Sequence, residues 1–381
     1  MSALLKFLNT KPLYYDHIDY ARMPRIYRVI AHEFHLPKTV HIIGTNGKGS
    51  TGRFLAQILE SAGLKIGHYT SPHILEFNER FYKEGAYMSY DELDGLHERL
   101  LGILKGYESE LSYFEYATLL AFLAFEDCDY MILEAGVGGE FDATNVAPKE
   151  LSIVTSISLD HQDLLGSTIK EIAFTKLQSV NNPAFIAPQE ESTAVEIIKQ
   201  REAILGLEFT YVQKDEFESS VEKYAAKYSL PDFLKSNLLS AVKAAKLLGI
   251  EADLEKIGKL NLRARWEKIA PNITVDAGHN TSAAKAAAAV FAGKKVVIIY
   301  NSYKDKDYNN TLKILAPIIK RAEIIELKNP YRANAKEEIK ATLINMGVSV
   351  KDFNGIDKNE EYLVFGSFGV IETFLRYINE K

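Results

Sequence analysis

The apolar run Val40-His41-Ile42-Ile43 breaks into Gly44-Thr45-Asn46-Gly47-Lys48-Gly49-Ser50-Thr51. The chain then resumes with helical character through Phe54-Leu55-Ala56-Gln57-Ile58-Leu59. A buried strand that feeds a helix through a glycine-rich turn is a unit of α/β architecture. The three glycines let backbone N–H groups turn toward an anion without interference from a Cβ. The N-terminus of the following helix adds partial positive charge. Lys48 is placed to reach the outer phosphates of a nucleotide, and Ser50 or Thr51 to face a magnesium ion. The loop departs from the generic phosphate-loop spacing, which puts a glycine where Ile42 stands and a hydroxyl directly after the lysine, where Gly49 intervenes. Taken alone, a plain glycine-rich turn remains the other reading.

The rest of the chain repeats the alternation. Residues 65–69 read as a short strand followed by a loop over 70–80, and helical patterns cover 90–104 and 115–125. Tyr130-Met131-Ile132-Leu133 is a continuous apolar run ending in Glu134, the pattern of a central parallel strand. Residues 151–157 form another, ending near Asp160-His161. Alternation through Leu248 implies a parallel sheet covered on both faces. Near 261–272 a second series begins. It has strands at 273–275, 295–299, 323–327, 348–351 and 362–365, with helices at 283–290, 311–319, 335–345 and 368–378. The expected fold is α/β: a phosphate-loop domain with a mostly parallel sheet over 1–265, then a smaller Rossmann-like α/β domain over 266–381.

Composition narrows the function classes. A chain of 381 residues has room for two domains. Its net charge of −6 gives no general basic surface, which argues against a nucleic-acid binder. Cys128 is the single cysteine, so neither a disulfide framework nor a cysteine zinc site is available; it reads as a small, partly buried filler. No apolar stretch has bilayer-spanning length, and the first nine residues turn polar too soon for a secretory signal. The expectation is a cytoplasmic protein without a membrane partner.

In open α/β sheets, ligands gather at the carboxyl ends of strands. The glycine loop, Glu134 and His161 all fall there. Glu134 is placed to bind magnesium directly or through water, or to cap the turn that follows; the run Ala135-Gly136-Val137-Gly138-Gly139 favours close ligand approach. His161, within Ser158-Leu159-Asp160-His161-Gln162-Asp163, reads equally as a ligand or as a polar side chain of a surface loop.

Several motifs occur in order: the 44–50 loop, Thr70-Ser71-Pro72-His73 with Phe77-Asn78-Glu79-Arg80, Asp160-His161, and Asp276-Ala277-Gly278-His279-Asn280. Together they resemble the folylpolyglutamate synthase/dihydrofolate synthase family, which belongs to the Mur-type ATP-dependent amide ligases. The resemblance runs from His17-Ile18-Asp19 to Gly366-Ser367. It implies that Gly47, Lys48, Gly49 and Ser50 cradle the ATP phosphates and that Ser71, Glu134 and His161 hold magnesium. Asn237 matches an ATP-contacting asparagine, Arg265 the arginine of the interdomain segment, and Asp276 the aspartate of the family's Asp-Gly-Ala-His-Asn-Pro motif. Ser112, Tyr113, Phe114, Glu115, Phe141, Asp142 and Ala143 resemble segments lining the pterin pocket. Lys176 matches the lysine that the family carbamylates to help hold a second magnesium. The chain departs from the pattern at Thr175-Lys176-Leu177-Gln178-Ser179, at Phe233-Leu234 in place of His-Gln, and at Arg263-Ala264-Arg265 in place of Pro-Gly-Arg.

The activity so implied joins L-glutamate to dihydropteroate and to reduced folates. ATP activates the carboxylate as an acyl phosphate, because amide formation in water needs a good leaving group. Lys48, Arg265 and two magnesium ions would neutralise charge, a monovalent cation remains open as a further cofactor, and His279 is the candidate acceptor for the amine proton. A monomer is expected. The alternatives are one of the two activities alone, a P-loop kinase, a Mur-type ligase of cell-wall precursors, or a nucleotide-binding regulator without ligation. With the glycine loop at residue 44, an N-terminal UDP-sugar domain has little room, and a kinase would not need the second domain.

Overall fold

The computed structural model describes residues 2–12, 19–212, 218–328 and 332–380. His17-Ile18, at the head of the ordered motifs, lie outside the described residues. The chain divides into two compact units, Met1–Leu230 with Leu234–Asn261, and Pro231–Phe233 with Leu262–Lys381.

In the first unit the strands are β1 (Lys38–Ile43), β2 (Ile66–Tyr69), β3 (Phe81–Lys83), β4 (Ala86–Tyr87), β5 (Tyr130–Glu134), β6 (Leu151–Val154), β7 (Ala184–Ile186) and β8 (Thr210–Tyr211). They form one sheet in the order β4-β3-β2-β5-β1-β6-β7-β8. Pairing is parallel from β2 to β8, and β3 and β4 add an antiparallel hairpin at one edge. Strand alternation splits the core in two. Met131 and Leu133 face a layer containing Leu100, Tyr116 and Leu120. Val40, Ile42 and Ile132 face the opposite layer, with Phe54, Leu55 and Leu238. Both faces of the central strands are therefore covered, which is why Tyr130–Leu133 of β5 reads as an unbroken apolar run and β1 as an apolar run interrupted by the buried Thr39 and His41. Cys128 is buried in the first layer, beyond the partial burial expected for it.

The second unit carries β9 (Glu267–Ala270), β10 (Ile273–Val275), β11 (Val296–Tyr300), β12 (Ile319–Ile324), β13 (Val350–Asp352) and β14 (Tyr362–Phe365). Their order is β13-β12-β11-β14-β10-β9, with only β9 antiparallel.

Several boundaries differ from the sequence reading. The helix expected over 311–319 is Tyr308–Leu315 followed by a 3-10 turn at Ala316–Ile318. Pro317 cannot donate to the helical ladder, and its ring disfavours helical backbone before it. The next strand accordingly starts at Ile319, four residues earlier than expected. β6 stops at Val154 rather than 157, for a reason found in the site below. The strand expected over 348–351 is 350–352, and the loop over 70–80 closes with a 3-10 turn at Phe77–Arg80. Among the described residues, no helix is long and apolar enough to cross a membrane.

Candidate active site

Register places the candidate residues at one edge of the first sheet. Ile42 of β1 pairs with Glu134 of β5, and Ile43 with Val154 of β6, so the glycine loop, Glu134 and the 155–161 segment leave the sheet together. The loop is then braced from one side. The Thr45 amide donates to the Ser156 carbonyl at 2.8 Å, and the Thr45 hydroxyl to the Ser158 carbonyl at 3.0 Å. Residues 155–158 thus leave the ladder to hold the loop, which ends β6 early.

Gly44 sits at φ +139°, and a Cβ there would lie 2.0 Å from Thr155 Oγ1. Gly47, at φ +91°, faces Asn237, whose Oδ1 would be 2.7 Å from an added Cβ. Asn237 is thereby set against the loop. The helix Lys48–Ser61 begins at Gly47 with no side-chain cap, which leaves its first-turn amides to an incoming anion. Gly44→Ala combines a strained φ, about 1–3 kcal/mol, with a clash against Thr155. Its thermal midpoint is expected to fall and its ATP affinity to drop. Unchanged values for both would contradict this geometry.

Two lysines converge on one carbonyl. Lys48 Nζ donates to the carbonyls of Gly44 and Thr45 at 3.3 Å each, and Lys176 Nζ donates to that of Gly44 at 2.9 Å. Lys176 is buried on the helix Ile169–Leu177. Burial first, and the Lys48 ammonium second, push its amine down to about 7.

Glu134 is buried at the end of β5, and the Ser71 amide donates to its Oε2 at 3.2 Å. Ser71 and Glu134 therefore meet, through the serine's main chain. His161 adopts left-handed backbone, φ +50°, at the start of the short helix Gln162–Leu165, and its amide donates to Asp160 Oδ1. A carboxylate, a hydroxyl and an imidazole on one sheet edge are a donor set suited to a divalent cation beside phosphate.

The residues expected around a pterin occupy two segments that meet just after Glu134. Ser112 and Glu115 form a capping box on the helix Tyr113–Ala124, and Glu115 also pairs with Arg22 Nε at 2.7 Å, so both are engaged in holding that helix start. Tyr113 meets Phe77 edge to face, with centroids 5.8 Å apart. Phe114 stacks on Tyr69 and closes on Gly136, where an added Cβ would be 2.8 Å from its ring. Asp142 Oδ2 accepts from the Val137 amide at 3.0 Å, while Oδ1 accepts from the Thr144 amide and hydroxyl. Burial raises the Asp142 carboxyl, and these hydrogen bonds oppose it. Ala143 is buried, whereas Phe141 is 51% exposed beside Tyr20, with centroids 4.4 Å apart.

In the second unit, Asp276 ends β10 and staples the preceding turn: Oδ2 accepts from the Trp266 amide at 2.9 Å and Oδ1 from the Gly278 amide at 2.8 Å. Burial raises its carboxyl, opposed mainly by the Arg265 charge. Arg265 lies over the Phe368 ring, 5.1 Å from its centroid, and His279 lies 6.5 Å from the same ring. These three residues and Phe368 thus cluster at one end of the second sheet.

Residues 155–158, Arg22, His41 and Thr144 take part in this architecture and escaped sequence reasoning. The small polar run Thr155-Ser156 directly after an apolar strand was the available signal for the first of these.

The family model Mur ligase middle domain matches residues 42–262. The chain is 30% identical to a dihydrofolate synthase/folylpolyglutamate synthase of Haemophilus influenzae, over 89% of this chain and 88% of that one. It superposes on the crystal structure of Helicobacter pylori folylpolyglutamate synthetase with a TM-score of 0.81 and 39% identity, covering 99% and 98% of the two chains. A bifunctional folylpolyglutamate synthase/dihydrofolate synthase with Mn, AMPPNP and L-glutamate bound shares the fold, at a TM-score of 0.81 and 23% identity over 100% and 98% of the chains.

Proposed function

We propose an ATP-dependent glutamate ligase of folate metabolism, from the premise that the chain belongs to the dihydrofolate synthase/folylpolyglutamate synthase family of Mur-type ligases. One observation carries the reading to chemistry. The uncapped helix start, the Lys48 ammonium and the buried Glu134 carboxylate leave one sheet edge, immediately beside the Phe114 and Asp142 segments. A triphosphate and a flat acid substrate would meet there.

The residues fit a nucleotide with a divalent ion. Gly44 and Gly47 keep a cradle that a Cβ would fill, and Ser71, Glu134 and His161 would hold the metal. When bound, the ion supplies neutralisation of phosphate charge. Lys48 sets a cation beside the outer phosphates, and the amides of Lys48, Gly49 and Ser50 take phosphate oxygens. Asn237, Arg265 and Asp276 are assigned to the nucleotide. Phe114, Phe141, Asp142 and Ala143 line the pterin side, with Ser112, Tyr113 and Glu115 shaping that wall. The substrate carboxylate attacks the γ-phosphorus, a C–O–P linkage forms and ADP leaves. The glutamate amine then attacks the acyl carbon, the C–N bond forms and phosphate departs, with His279 accepting the amine proton. The first unit carries nucleotide and pterin; the second is the glutamate-ligase unit. The substrates are dihydropteroate and reduced folates, with L-glutamate as the amine.

An oxygen label tests the route. With 18O in the dihydropteroate carboxylate, one labelled oxygen is expected in the phosphate released per amide formed; unlabelled phosphate would exclude the acyl phosphate.

Lys176 is assigned a carbamate that would help hold a second divalent ion. Carbamates form from the neutral amine. With a folded pKa of about 7 against the ordinary 10.5, that amine is increasingly neutral as pH rises through 7. Removing carbon dioxide is expected to lower turnover several-fold and bicarbonate to restore it, with a 13C-bicarbonate carbamate signal absent from Lys176→Ala. Turnover indifferent to bicarbonate, with no such signal, would exclude the modification.

A further inference from the structure

A buried polar chain runs from the strand beneath the nucleotide loop to the loop that presents Phe141. His41 lies on β1, three residues before Gly44, and is wholly buried. Its Nε2 is 2.8 Å from Thr144 Oγ1, and Thr144 Oγ1 is 2.6 Å from Asp142 Oδ1. His41 stands 103 positions from Thr144, which is two from Asp142, yet the three side chains form one line.

The direction of its protons follows from counting donors. Asp142 also receives the amides of Thr144 and Val137, both at 3.0 Å, so its oxygens are held as acceptors. The single Thr144 hydroxyl proton therefore points to Asp142. His41 must then donate Nε2–H to Thr144 Oγ1, which leaves Nδ1 without a proton. Among the described residues, Nδ1 has no hydrogen-bond partner. In this tautomer the unpartnered atom is a lone pair; the opposite order would bury an unpartnered N–H, which native structures avoid more strongly. The imidazole is neutral, pushed down to about 3 by burial and by the Lys149 ammonium.

The same carboxylate shapes the loop. Through Val137 it fixes the turn after Glu134, and through Thr144 it starts the 3-10 turn Ala143–Val146. Between these two anchors lie Phe141, half exposed, and the Gly138-Gly139 pair. Phe141 sits between two held neighbours: Asp142, gripped as above, and Glu140, whose amide donates to the Thr175 carbonyl at 3.1 Å and whose carbonyl accepts from Asn145 Nδ2 at 2.8 Å.

We propose that His41 and Thr144 are positioning residues for the pterin substrate: they lock Asp142, and through it the 136–144 loop and Phe141, onto the strand that carries the nucleotide loop. The proposal rests on the reading that this loop lines the pterin site. It assigns neither residue a contact with substrate.

Thr144→Val removes the central hydroxyl at nearly constant volume, and Thr144→Ser keeps it. The expected result is about a tenfold rise in KM for dihydropteroate in Thr144→Val, the cost of one charge-assisted hydrogen bond. KM for ATP should change less than about twofold, and Thr144→Ser should return the pterin KM toward the parent value. His41→Leu, which removes only the far donor, should raise the same constant by a smaller factor and keeps the test available should Thr144→Val fail to fold. A folded Thr144→Val or His41→Leu with the parent pterin KM overturns the proposal, as does an equal rise in both substrate constants. Phe141→Ala separates the proposal from its premise. If that change leaves the pterin KM unaltered, the site reading itself fails. If it raises the constant while Thr144→Val does not, only the positioning role fails.

Discussion

Lys48→Ala is expected to lower glutamate-dependent ADP release by about 10³-fold, the scale for removing one preorganised charge from a transition state. Phosphoryl transfer asks little covalent help of a protein and much positioning of positive charge. Lys48 is the first residue of the helix that follows Gly47, and its amine is held within 3.3 Å of two loop carbonyls, so the cation is preplaced before any substrate arrives. Lys48 donates to those two carbonyls, and the Gly44 carbonyl keeps Lys176 as a donor after the substitution. The fold should therefore survive while turnover is lost. A second readout accompanies the first. Because the Lys48 charge is among the causes that hold the Lys176 amine down, its removal should move that amine upward. With carbon dioxide excluded, so that Lys176 carries a free amine, its reactivity toward an amine reagent near pH 7 would then fall. A loss of turnover below about tenfold would remove Lys48 from the phosphate site.

Glu134→Gln is expected to cost about 10²-fold or more in kcat and to raise the magnesium concentration needed for half-maximal rate by at least about tenfold. Glutamine keeps the volume and an oxygen that can accept from the Ser71 amide, so the local hydrogen bond persists while the negative charge disappears. This distinguishes the two roles that the strand end allows. A carboxylate that only caps the following turn would lose little on becoming an amide. A carboxylate that holds a divalent ion loses the charge that binds it. Measuring rate against magnesium for both proteins, with thermal midpoints as a check on folding, decides between them. An unaltered magnesium requirement would return Glu134 to the capping role.

Legibility in the sequence followed the range of the forces involved. Glu134 and the glycine loop could be read because each ends an apolar run buried on both faces of a sheet, and strand ends in such sheets converge at one edge. The second unit's strands at 273–275 and 362–365 were legible for the same reason. β9 was not: its four residues are half-buried or exposed, with no alternation to betray a strand, and its pairing with β10 is set by tertiary contact. The hairpin of β3 and β4 is likewise too short to show a period. Within the site, Ser71 carried no signal of its own, since only the β2–β5 pairing brings it to Glu134. His41 looked like part of a hydrophobic strand, and its partner Thr144 lies 103 positions away. The engagement of Glu115 with Arg22 was hidden similarly, because a capping box is local but an ion pair 93 positions long is not.

The central claim is ligation rather than nucleotide binding alone, and one assay addresses it directly. ADP release is followed with dihydropteroate, ATP and magnesium, with and without L-glutamate, and again with tetrahydrofolate monoglutamate as acceptor. The account predicts release that requires both the pterin and glutamate, one ADP for each amide formed, with either acceptor. Nucleotide binding without glutamate-dependent release on any pterin would contradict it.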